Sequence, residues 1–101
     1  MSSLDATPDH DETAASVVSV RFWAAARAAA GTSAVDVPTD RPLTLAALVE
    51  RLVEGRPERL GPVLAGCSVL VGDQPVATRD PAEVLVAPGD TVEFLPPFAG
   101  G

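Results

Sequence analysis

The spacing of hydrophobic positions changes several times along this chain, and each change marks an element. Val17, Val18, Val20, Phe22 and Trp23 form a β-branched and aromatic run that predicts a first strand. The next stretch, Ala24 to Ala30, holds only alanine and Arg27, so it predicts a short helix, with Gly31 placed to cap its end. Ala34 to Val37 predicts a brief second strand. Pro38, which cannot donate to a ladder, puts that strand at or near a sheet edge. From Thr44, whose hydroxyl can cap a helix, Leu45, Leu48, Val49, Leu52 and Val53 recur at i, i+3, i+4, i+7 and i+8. They line one face, and Glu50, Arg51 and Glu54 take the other, which makes this the main amphipathic helix. Gly55 closes it. Pro57 to Leu60 starts a further turn, which Gly61-Pro62 is expected to interrupt. Val69 to Val71, the polar Gly72-Asp73-Gln74-Pro75 turn and Val76 read as a hairpin. Val84 to Val86 then leads through Pro88-Gly89-Asp90 into a final strand over Thr91 to Leu95.

The resulting order is strand, short helix, strand, long helix, strand, hairpin and final strand, with one amphipathic helix available to cover one sheet face. This predicts the α+β class. If the first and last strands lie side by side at the sheet centre, they run parallel, and the fold is a β-grasp (ubiquitin-like) roll with a mixed sheet.

Composition limits what such a domain can do. At 101 residues the chain is one small domain, and no apolar stretch approaches the roughly 18 residues a membrane span needs. No basic and apolar secretory signal stands at its start, so a cytoplasmic location without membrane attachment is expected. Net charge is −7, from 14 acidic residues against seven arginines and no lysine. That balance argues against nucleic acid as a partner, because phosphates need a basic footprint. Asp5, Asp9, Asp11 and Glu12 belong to residues 1–15, which leaves ten acids against seven bases, net −3, for residues 16–101. Poor in large apolar residues and rich in Ser, Thr, Asp and Pro, residues 1–15 are expected to be a disordered acidic leader, ahead of a domain over 16–95 and a tail over 96–101.

Candidate chemistry is sparse. Cys67 is the one cysteine and cannot form an internal disulfide; its place before Ser68-Val69-Leu70-Val71 suits a small core filler. The one histidine, His10, lies in the leader, so no Ser-His-Asp or Cys-His constellation can be assembled within the domain, and no metal site is expected.

The tail is the informative segment. Val92 and Phe94 alternate with Thr91 and Glu93, and the strand runs directly through Leu95 into Pro96-Pro97-Phe98-Ala99-Gly100-Gly101. Two prolines fix φ near about −65° and favour an extended path, while two glycines lack Cβ and can pass a narrow channel.

Several segments together resemble the MoaD family, the small sulfur-carrier subunits of molybdopterin synthase within the ubiquitin-like MoaD/ThiS superfamily. They are Val20-Arg-Phe-Trp-Ala-Ala-Ala-Arg27, the Thr44-Leu-Ala-Ala-Leu helix start, Cys67-Ser-Val-Leu-Val71, and Pro88-Gly-Asp-Thr-Val-Glu-Phe-Leu-Pro-Pro-Phe-Ala-Gly-Gly101. The resemblance covers about residues 17–101, and its specific part is the C-terminal one. It implies a protein that is no enzyme on its own and binds no cofactor. An adenylating MoeB-type enzyme would use ATP to activate the Gly101 carboxylate, with Gly100 beside it, and a sulfurtransferase would supply the sulfur of a thiocarboxylate. The tail, with Leu95, Pro96, Pro97, Phe98 and Ala99 as binding residues, would then enter a MoaE-type large subunit and give sulfur to cyclic pyranopterin monophosphate. Two other uses of the same end stay open: a carrier for thiamine or cysteine synthesis, and a ubiquitin-like protein modifier.

Overall fold

The computed structural model describes residues 16–97; the leader 1–15 and the residues Phe98, Ala99, Gly100 and Gly101 lie outside the described residues. The elements in chain order are β1 (Val17–Phe22), α1 (Ala24–Ala30), β2 (Ala34–Pro38), β3 (Leu43–Thr44), α2 (Leu45–Val53), α3 (Leu60–Ala65), β4 (Ser68–Val71), β5 (Gln74–Pro75), a 3₁₀ turn (Pro81–Glu83), β6 (Leu85–Val86) and β7 (Thr91–Leu95).

Five strands form one mixed sheet in the order β2-β1-β7-β4-β5. The first and last strands are central and parallel, with Ser19 opposite Thr91, Val20 opposite Val92, Arg21 opposite Glu93 and Phe22 opposite Phe94. Both remaining pairings of these strands are antiparallel, β1 with β2 and β7 with β4. This is the β-grasp arrangement expected from the sequence. Strand alternation decides the faces: Val18, Val20, Phe22, Val92 and Phe94 are buried, while Arg21 is exposed and Ser19, Thr91, Glu93 and Leu95 are half-buried on the opposite face. Phe22 and Phe94 stack at the centre, with ring centroids 5.9 Å apart and planes at 23°.

The helices close the buried face. Leu45, Leu48 and Leu52 of α2, Leu60 and Leu64 of α3, and Ala26 and Ala29 of α1 join the strand residues in one core. Thr44 caps α2 as expected, its Oγ1 accepting from the Ala47 N–H at 3.0 Å. Gly31 closes α1 at φ 79°, with its N–H donating to the Arg27 carbonyl at 2.9 Å.

Four boundaries differ from the sequence expectation. Gly61-Pro62 does not stop helix formation, because Pro62 is the third helical residue of α3, where the N–H has no intrahelical partner to lose. The hairpin turn is only Gly72-Asp73: Val71 pairs with Gln74 and Leu70 with Pro75, and Gly72 takes φ 62° at the first turn position. The Val84 to Val86 run pairs not with the main sheet but with Leu43–Thr44, in a separate two-stranded ribbon. Trp23 is no strand residue; it is the N-cap of α1. The edge position expected for the strand Ala34 to Val37 is observed, since β2 pairs only with β1.

Candidate functional site: the root of the C-terminal tail

The tail leaves from the end of β7, which is held on both sides. Leu95 is the last ladder residue, opposite Ser68 and half-buried, and Pro96 and Pro97 follow it, exposed. Of the binding residues expected from the sequence, Leu95, Pro96 and Pro97 therefore lie together at the sheet end. Phe98, Ala99, Gly100 and Gly101 follow in sequence outside the described residues, and span at most about 14 Å of extended chain.

A groove of about 290 Å³ opens beside the two prolines. Its walls are Trp23 and the first turn of α1 (Ala24, Ala25, Ala26), Pro62, Val63 and Gly66 of α3 and its end, Cys67, and Pro96 and Pro97. Small side chains make the space, because alanine and glycine line the positions where the two helices approach the strand end. Cys67 is half-buried in this wall, and its Sγ–H donates to the Val63 carbonyl at 3.2 Å. Burial pushes its thiol above the ordinary cysteine value, which keeps it protonated at neutral pH and a poor nucleophile. That agrees with a packing role.

Trp23, expected at the end of the first strand, stands instead at the start of α1. Its side chain is 45% exposed, one of two large hydrophobic side chains so exposed among the described residues, the other being Leu85 on the separate ribbon. The indole Nε1–H donates to Glu93 Oε1 at 3.1 Å, and the Trp23 backbone N–H donates to the Phe94 carbonyl at 3.0 Å. The signal was available in the parity of the first strand. Val18, Val20 and Phe22 face the core, so the residue after Phe22 points away from it.

Among the described residues no group of three or more His, Cys, Asp or Glu side chains could hold a metal ion, and no helix is long and apolar enough to cross a membrane. What the site offers is a rigid strand end with an apolar surround.

The pattern of the ThiS family matches residues 20–101. The chain is 30% identical over 82 residues to a molybdopterin synthase sulfur carrier subunit from Aspergillus niger, covering 81% of this chain and 91% of that protein. In structure it is similar to subunit 1 in the complex of subunits 1 and 2 of the molybdopterin-converting factor of Helicobacter pylori, with TM-score 0.58, 25% identity, and 84% and 99% of the two chains covered. It is also similar to SAMP1, a small archaeal modifier protein of Haloferax volcanii, with TM-score 0.65, 23% identity, and 84% and 99% covered. The resemblance seen in the sequence is thus borne out: the fold is the ubiquitin-like β-grasp, and the chain belongs to the ThiS family.

Proposed function

We propose that this protein is the sulfur-carrier subunit of a molybdopterin synthase. The observation that carries the reading is the identity with the Aspergillus niger carrier subunit over nine-tenths of that protein's length. Supporting it, the strand that leads into Gly100-Gly101 is a central one, so a partner that grips the domain also aims the tail.

The chemistry of this reading starts at the Gly101 carboxylate. A carboxylate is a poor acyl donor because its leaving group would be oxide. The Gly101 carboxylate attacks the α-phosphate of ATP on a MoeB-type activating enzyme, and pyrophosphate leaves. The outer sulfur of a sulfurtransferase persulfide then attacks the acyl carbon and AMP leaves; a second thiol attacks the sulfurtransferase sulfur of the resulting acyl disulfide, a disulfide forms between those two cysteines, and the terminus is released as a thiocarboxylate. Inserted into a MoaE-type large subunit, this end bonds its sulfur to cyclic pyranopterin monophosphate; water then attacks the acyl carbon, the carbon–sulfur bond breaks, and the terminus returns to a carboxylate. The carrier itself binds no cofactor; its contribution is a reagent and the surface that docks it. Pro96 and Pro97 lower the ordering cost of insertion, Phe98 and Ala99 contact the channel, and Gly100 and Gly101 leave the terminal carbon open to attack.

Reconstitution tests the reading. With the activating enzyme, ATP and a sulfur source, the full chain accumulates thiocarboxylate, whereas deletion of Gly101 or a Gly100→Val substitution abolishes loading and leaves the thermal melt unchanged. Thiocarboxylate on the truncated chain would overturn it.

A further inference from the structure

Glu93 has a use that its place on a sheet face does not require. Its carboxylate accepts from the Trp23 indole N–H across the parallel β1–β7 pair, 70 residues apart in sequence. Trp23 is also held through its backbone, by the bond from its N–H to the Phe94 carbonyl, and the next residue, Ala24, stands at φ 50°, in the left-handed region that non-glycine residues seldom enter. A side-chain bond thus holds the exposed ring, while a main-chain bond and an unusual backbone step fix the residue that carries it. The ring walls the groove beside Pro96 and Pro97, at the root of the tail. Strained backbone and exposed aromatic area held in one orientation are features of sites that bind.

We propose that Glu93 is a positioning residue for tail engagement: it holds the Trp23 indole in one orientation at the tail root, so that the activating enzyme accepting Gly101 meets an ordered aromatic surface. The proposal rests on the sulfur-carrier reading. Glu93 lies two residues before Leu95 on the strand that leads into the tail, so the ring and the tail root share one rigid support. An enzyme that draws in a tail spanning about 14 Å beyond Pro97 must close over the surface around that root. Covering a ring already fixed costs less rotamer freedom than covering a free one, a difference that corresponds to roughly three- to tenfold in apparent affinity.

The chain holds one tryptophan, so its intrinsic fluorescence reports on this ring alone. The test uses the full chain and the Glu93→Ala and Glu93→Gln variants, with acrylamide quenching of the indole and steady-state ATP–pyrophosphate exchange by the activating enzyme. Glu93→Ala is expected to quench faster and to raise KM about three- to tenfold with kcat unchanged. Glu93→Gln keeps an acceptor oxygen and is expected to restore both. Unchanged quenching in Glu93→Ala, or faster quenching with an unchanged KM, would overturn the proposal. A Glu93→Gln variant as impaired as Glu93→Ala would overturn it too, by assigning the effect to charge. Absence of exchange with the wild-type chain would overturn the sulfur-carrier reading, and the proposal with it.

Discussion

Phe98 follows directly on Pro97 in sequence, and under the proposed function the subunit that receives the tail buries this aromatic side chain. Such side chains carry a large share of binding energy at interfaces. Phe98→Ala is expected to weaken the complex with the large subunit by about 2 kcal/mol and to change carrier stability by less than about 0.5 kcal/mol. Calorimetric titration paired with thermal melts of the free carrier checks this; unchanged affinity with a lowered melting point would return Phe98 to the carrier's own surface. At this scale the core was legible, since Val18, Val20, Phe22, Leu48, Leu52, Val92 and Phe94 are all fully buried or nearly so. Trp23 was not read as exposed because β propensity scores an aromatic residue after a strand as more strand, whatever its face. Ala24 and Ala77, at φ 50° and 54°, could not be read at all. Alanine carries no local sign of a left-handed backbone; each of the two follows a residue whose N–H is bonded to another part of the sheet, Trp23 to Phe94 and Val76 to Val69.

Among the elements, α2 was the most legible because three signals agree on it: the Thr44 cap, a 3.6-residue period over nine residues, and a glycine just past its end. The cap accounts for one of the free N–H groups of the first turn. Thr44→Ala is therefore expected to cost about 1 kcal/mol, which lowers the melting temperature by roughly 4–8 °C in a domain of this size. A Thr44→Ser variant, which keeps the hydroxyl, is expected to recover most of that loss. Equal losses in the two variants, measured by thermal melts, would show that the methyl group rather than the hydrogen bond matters. The helix α3 was hidden because proline is read as a helix breaker, and only its distance from the helix start, known from the fold, makes Pro62 harmless. The β3–β6 ribbon is two residues on each strand, too short to show a period.

For the molecule as a whole, the first and last strands must find each other across almost the full domain, and the sheet then presents the tail from its middle. The alternating Thr91 to Leu95 run joined without a linker to Pro96-Pro97 made this arrangement legible, because it tied a terminal motif to a structural element. What pattern alone could not supply was the wall around the tail root, which brings together residues from 23 to 97. The central claim concerns one atom at the end of this tail: sulfur replaces an oxygen of the Gly101 carboxylate. Mass measurement of the C-terminal peptide of protein isolated from its own cells tests it most directly. The sulfur-carrier account predicts a fraction heavier by about 16 Da, the difference between the atomic masses of sulfur and oxygen. A branched peptide joining Gly101 to a lysine of another protein, with no heavier free terminus, would contradict it in favour of a modifier, and an end that is always unmodified would contradict both.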